Sequence, residues 1–424
     1  MSAPGLSGAW FGPEAATWGV AGVFLLVYLG MFLGGLPRLK LDRAGVALLG
    51  AIAVIALTGL SVEEAAHSVD LPTLVLLFAF MVVSAQMRLG GFYTAVTRRV
   101  GGLSLSRSAL LAVLIAVAGA LSAVFSNDIV CLAMTPVVAR LCLRRGLDPV
   151  PFLVGLACAA NIGSAATLIG NPQNMLIGSV LQLPFGGYMA QAVPPVLVTL
   201  LLLWGWLAFG PGSRTGSSEL RQAVAVNLPD EDLQPFDAWQ TTKGLVVAVL
   251  LMGVFLFTDW PREVAALVGA GVLLLSRRMH SSEVMGLVDW QLLLLFIGLF
   301  VVNHAFESTG LAAEAVQWLA QQGIRLSDPA SLMVLGAGLS NLVSNVPAVM
   351  LLLPHLGADA RQTGAALALI STFAGNLLLV GSIANLIVVD VARRQGVEID
   401  WRRHVRIGLP VTLGSLAVLW FWLF

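Results

Sequence analysis

Residues 121–136 read LSAVFSNDIVCLAMTP, an apolar run broken in its middle by Ser126, Asn127 and Asp128. A carboxylate at the centre of an inserted helix costs about 2.5–3.5 kcal/mol on insertion scales, so an intramembrane Asp marks function. The pattern returns as Ser344-Asn345-Val346-Pro347, ending at Pro354. In both copies a Pro follows the Ser by ten residues (126 to 136, 344 to 354). Polar breaks at corresponding places in two halves of a membrane protein point to a transport site.

The surrounding composition sets the class. Of 424 residues, 58% are hydrophobic and 11% charged, against about 25% charged in soluble domains. Mean hydropathy is +0.89. This is an all-α polytopic membrane protein by expectation. Net charge is zero and only Lys40 and Lys243 are lysines, so no basic stripe exists for nucleic acid. Cys131, Cys142 and Cys158 have neither metal spacing nor an even count, and no cofactor is expected. Glu14 precedes the first apolar run and no basic residue does, so the first span reads as retained rather than as a cleaved signal.

Apolar runs at 18–33, 44–60, 71–87 and 192–209, then 244–257, 264–275, 291–306 and 405–424, predict spanning helices. Residues 88–107 read as a loop. The first half, 18–209, holds a re-entrant hairpin at 108–143 and a helix at 150–183 broken near Gly170. Residues 210–242 are polar and rich in Pro, Gly and Ser, and read as a cytoplasmic linker. The second half, 243–424, holds a hairpin at 330–355 and a broken helix at 363–391.

The halves align as a duplication. Arg43, Gly50, Asp70 and Gly91 recur as Arg262, Gly269, Asp289 and Gly310, each 219 residues on (43 to 262). Gly170 and Asn174 recur as Gly381 and Asn385, each 211 on (170 to 381). Basic residues concentrate after the first span (Arg38, Lys40, Arg43), around the first hairpin (Arg98, Arg99, Arg107, Arg144, Arg145), and at Arg277, Arg278, Arg393 and Arg394. The positive-inside rule places these in the cytoplasm. Ten spans, two of them broken, and two opposed hairpins then close, with both termini extracytoplasmic. Five crossings per half make the second repeat inverted.

Backbone that leaves the helix within a membrane must line a cavity or be buried in protein. Broken helices present N–H groups that attract anions and carbonyls that coordinate cations. Asn127, Asn174, Asn345 and Asn385 offer both a donor and an acceptor. Gly170 and Gly381 permit unwinding, and Pro172 removes a helix bond. Asp128 has Val346 as its counterpart. An unpaired acid in low dielectric keeps its proton or binds a cation, so Asp128 is the candidate coupling residue for H+ or Na+. No basic residue is placed at the midplane to neutralise an anion. His304, near a span end, reads as a polar interface residue, and buried Cys131 and Cys158 as small hydrophobes. No H-E-x-x-H, G-x-S-x-G or paired acid supports an intramembrane enzyme.

Ser126-Asn127-Asp128 with Met134-Thr135-Pro136 resembles the first hairpin of arsenite permeases. Residues 161–164 and 170–174 (NIGS, GNPQN) resemble the citrate-transporter-like anion permease branch of the same ion transporter superfamily, which also holds divalent-anion:sodium symporters and Na+/H+ antiporters. The resemblance covers the chain after residue 40. It implies secondary active transport of a small inorganic or organic anion, by an elevator-like movement, in the inner (plasma) membrane. Where the symporters carry Ser-Asn-Thr in both hairpins, this chain has Asp128 and Val346 in the third position. Carried onto this chain, the substrate and ion site comprises Ser126, Asn127, Asp128, Thr167, Gly170, Asn171, Asn174, Ser344, Asn345, Gly381, Ser382 and Asn385. Na+ falls at Ser126, Asn127, Gly170, Asn345 and Gly381. A Na+/H+ antiporter and an arsenite or antimonite efflux permease are the alternatives. Membrane lipid is the remaining partner, and a homodimer is left open.

Overall fold

In hydrocarbon every backbone N–H and C=O must be bonded within its own segment, so the apolar runs become helices. The computed structural model describes residues 12–36, 39–210, 235–357 and 359–424, and no strand occurs among them. Arg38 and residues 211–234 of the linker lie outside the described residues. The first half contains α1 (Pro13–Leu33), α2 (Arg43–Thr58), α3 (Val62–His67), α4 (Leu71–Leu89) and α5 (Phe92–Gly101). It continues with α6 (Arg107–Val124), α7 (Asn127–Arg144), α8 (Pro149–Ser164), α9 (Pro172–Val180) and α10 (Phe185–Phe209). The second half repeats this order with α11 (Ala238–Phe257), α12 (Arg262–Leu274), α13 (Ser281–Met285), α14 (Trp290–Ser308) and α15 (Leu311–Gln321). It ends with α16 (Pro329–Val343), α17 (Asn345–Leu352), α18 (Ala360–Ala374), α19 (Ile383–Arg394) and α20 (Trp401–Leu423).

Equivalent helices begin the same way. Asp70 and Asp289 cap α4 and α14, accepting from Thr73 N at 2.8 Å and Leu292 N at 2.9 Å. Gly91 and Gly310, at φ 69° and 79°, open α5 and α15. An L side chain rarely adopts that backbone, which accounts for glycine at both positions. Packing is reciprocal: α2 lies on α14 and α12 on α4, while α8 meets α19 and α9 meets α18. Such exchange of partners is what a two-fold relation between repeats produces.

The structure corrects two expectations. Residues 92–101 form a helix rather than loop, with Tyr93, Thr97 and Val100 buried at helical spacing. The alternation is amphipathic and therefore invisible to a search for apolar runs. The second half's first helix starts at Ala238, capped by Asp237, inside the stretch read as linker. Among the described residues seven helices are long and apolar enough to cross a membrane, one of them α6 of the first hairpin. The equivalent pair α2 and α12 are shorter, at 16 and 13 residues.

The broken helices occupy the centre. Every residue from 149 to 179 is buried, as is every residue from 364 to 376. Small residues allow this. A Cβ on Gly163 of α8 would overlap the backbone of Gly119 on α6, so hairpin and broken helix pack backbone to backbone.

Candidate functional site

The first hairpin turns at Ser126, which leaves the helix (φ −55°, ψ 124°) and makes no side-chain cap. Its freed N–H donates to Ser84 Oγ of α4 at 3.1 Å, and the Asn127 N–H donates to Gly170 O at 3.3 Å. The second hairpin turns at Ser344, and there the Asn345 amide, with its nitrogen toward these carbonyls, donates to Gly381 O at 3.2 Å and Ser371 O at 3.0 Å. Each tip is thus tied to the glycine of its own repeat's helix break. Those glycines are required by space. A Cβ on Gly170 would overlap Ser164 O and come 2.7 Å from Ser122 O; one on Gly381 would lie 2.9 Å from Asn341 Oδ1.

Ser344 has φ 77° and ψ 161°, a region populated almost solely by glycine. Holding a serine there costs about 1–3 kcal/mol. Ser344→Gly is therefore expected to raise the unfolding temperature of the purified protein by a few degrees, while Ser344→Ala leaves it unchanged. An unaltered Tm in the glycine variant would show that the tip is not strained.

The breaks hold themselves together by equivalent bonds. Asn174 Nδ2 donates to Thr167 O at 2.9 Å, and Asn385 Nδ2 donates to Leu378 O at 3.0 Å, seven residues back in each case. Asn174 also donates to Tyr188 Oη at 3.0 Å, and Asn385 to Gly375 O at 2.9 Å. Thr167 Oγ1 donates to Ala123 O at 2.6 Å, joining the first break to the hairpin.

Between the repeats lies a hub at Asn161, which the sequence placed in the NIGS motif but not in the site. Asn161 Oδ1 accepts from Asn127 Nδ2 at 3.2 Å and Ser382 Oγ at 2.9 Å. Its Nδ2 donates to Asn376 Oδ1 at 3.0 Å and Asn385 Oδ1 at 3.1 Å. The equivalent of Asn161 is Thr372, and Thr372 Oγ1 is met by Asn171 Nδ2 at 3.4 Å. Asn171 is the equivalent of Ser382, so the Ser382–Asn161 and Asn171–Thr372 bonds are a two-fold pair across the molecular centre.

A cavity of about 260 Å³ lies under the first hairpin tip. It gathers Ser126, Asp128, Gly170 and Asn171 of the expected set, and adds Arg88 from the end of α4 and Asp289 from the start of α14. The remaining expected residues do not line it; they form the hydrogen-bonded core behind it. Arg88 corrects the expectation that no basic residue is available here. Among the described residues no hydrogen bond reaches the Asp128 carboxylate, so it does not cap α7. Asn127 Oδ1 and Asn174 Oδ1 are buried acceptors without a protein partner among them.

Paired hairpin tips and paired helix breaks, joined at a buried amide hub beside a cavity lined by Arg88, Asp128 and Asp289, define a multi-pass membrane transport protein rather than an enzyme. Residues 24–374 match the family described as citrate transporter, and the chain belongs to that family. It is 31% identical over 454 residues to the silicon efflux transporter LSI3 of Oryza sativa subsp. japonica, covering 90% of this chain and 92% of that one. It is 30% identical over 357 residues to the inner membrane protein YbiR of Escherichia coli, covering 83% and 87%. The fold is similar to that of the Alcanivorax borkumensis YdaH transporter, with a TM-score of 0.54 at 15% identity over 97% of both chains.

Proposed function

We propose that this protein is a secondary active transporter carrying a small anion or oxyanion across the inner (plasma) membrane, coupled to Na+ or H+. The carrying observation is Asp128. It faces a cavity with Ser126, Gly170 and Asn171 and makes no hydrogen bond among the described residues. A carboxylate so placed must take up a proton or a cation to be stable in low dielectric. The buried acceptor Asn127 Oδ1, next along the chain, is a fitting additional ligand for Na+. Hydroxyls and amide N–H groups at the tips and breaks suit an oxyanion or its neutral acid. The hairpins and broken helices form one hydrogen-bonded body, a unit that would move elevator-fashion against the other helices. Both termini would face the extracytoplasmic side, and no cofactor is needed.

A second reading has its own support. Asp128 and Asp289 face the same cavity, and two carboxylates sharing a site can exchange Na+ for H+ with no anion bound. Uptake into proteoliposomes, with Na+ and pH gradients imposed separately, separates the two. The panel is citrate from the family, silicate from one relative and arsenite from the resemblance of the first hairpin, with an internal pH dye. Concentrative uptake of one of them, driven by one gradient, is the expected result. Na+-triggered pH change that needs no panel member would replace it with the antiporter. Uptake that stops at equilibrium would sink both.

A further inference from the structure

The cavity under the first hairpin has a counterpart of about 380 Å³ elsewhere in the molecule. Part of the lining is related through the repeat: Asp289 stands for Asp70, Leu287 for Ser68, Ile387 for Leu176 and Leu132 for Met350, while the tip and break residues Ser126, Asp128, Gly170 and Asn171 line the first cavity alone. At one position the chemistry inverts. Where the first cavity has Arg88, the second has Glu307, 219 residues on (88 to 307). Among the described residues Arg88 is the one permanent cation lining either cavity. It is half-buried, and no hydrogen bond or ion pair engages its guanidinium there.

We propose that Arg88 is the specificity-determining residue for the anion, contacting it in the cavity that also presents Ser126 and Asp128. This rests on the anion-transport reading above. A guanidinium carries five donors in a planar fork that matches two oxygens of an oxyanion at once. Partly stripped of water and lacking a fixed partner, it gains most from an incoming anion. The charge count also ties the anion to a cation. One guanidinium and two carboxylates leave the ionised empty cavity with net negative charge, which repels an anion. A proton or Na+ on Asp128 removes that excess, and Arg88 is then answered by the substrate. Glu307 offers no such contact in the second cavity.

The test reads the field of each cavity directly, in purified protein, with single-cysteine reporters Leu287→Cys and Ser68→Cys at equivalent positions. The three native thiols are fully buried, so charged methanethiosulfonates meet the reporter first. Arg88→Gln is expected to lower the ratio of anionic to cationic reagent rates at Leu287→Cys by about tenfold, the scale of local ion enrichment in a charged cleft. Arg88→Lys should hold the ratio, and Glu307→Gln should raise it at Ser68→Cys. In proteoliposomes Arg88→Gln should raise KM for the transported panel member by about tenfold or more, with Arg88→Lys restoring part of it. A ratio that ignores Arg88→Gln, or a KM that does, overturns the assignment while leaving transport itself intact. Wild-type protein that carries no anion, with the ratio responding as expected, would instead bring down the parent reading and this one with it.

Discussion

Asn161→Ala is expected to abolish transport and to destabilise the protein by about 2–5 kcal/mol, because it strands groups from both repeats at once. Four bonds converge on this one amide, and the residue is 1% exposed. Its loss leaves the Asn376 and Asn385 oxygens without those donors, and Asn127 and Ser382 without that acceptor. Orphaned buried groups cost about 1–3 kcal/mol each in water-soluble proteins, whereas hydrogen bonds within membrane proteins average nearer about 0.6 kcal/mol. Even the lower figure, taken over four bonds, gives a measurable loss. Asn161→Asp separates donor from acceptor: it keeps the bonds from Asn127 and Ser382 but removes both donors. Thermal unfolding in detergent reads the stability, and uptake reads the function. Coupling to Ser382→Ala in a double-mutant cycle should amount to about 0.5 kcal/mol or more, since the pair touches. A wild-type Tm for Asn161→Ala would mean that the two repeats are not joined through this residue.

The hub also shows where the sequence stops being informative. Ser126, Asn127, Asp128, Ser344 and Asn345 were legible because a polar cluster in an apolar run has no bland use that explains its recurrence. The duplication was legible because glycines and aspartates that cap or open helices recur at nearly constant spacing, as Asp70 and Asp289 do. Asn161 stands alone in ACAANIGS, where one amide is as easily a local helix contact. The NIGS motif marked the family but not this role, which comes from α8 crossing α19 at that point, a tertiary fact. Arg88 was hidden differently. An arginine ending a spanning helix reads as an interfacial anchor under the positive-inside rule, and only the packing of α4 beside α7 brings it to the cavity. Its link to Glu307 was available from the 219-residue offset, but repeats are searched for what they preserve, and this position differs.

Asp128→Asn is expected to cut gradient-driven uptake by at least about 100-fold while leaving the fold intact. Ordinarily a buried substitution confounds the two, because the residue also supports its surroundings. Here the carboxylate caps nothing and accepts no hydrogen bond among the described residues, so an amide of the same shape removes the charge and little else. Wild-type Tm together with lost concentrative uptake is the result that identifies coupling. The amide is neutral, as a protonated acid is. Under H+ coupling the variant should therefore still exchange internal for external substrate, having lost only the pH-driven net movement. Under Na+ coupling exchange should fail as well, because the ion's charged ligand is gone. Asp289→Asn is the matched comparison. That residue caps α14 through Leu292 N, a role asparagine fills nearly as well. It should leave uptake within about threefold if Asp128 alone couples, since one carboxylate then carries the ion. Equal losses in both variants would mean that the pair titrates as a unit, and would favour cation exchange over anion transport.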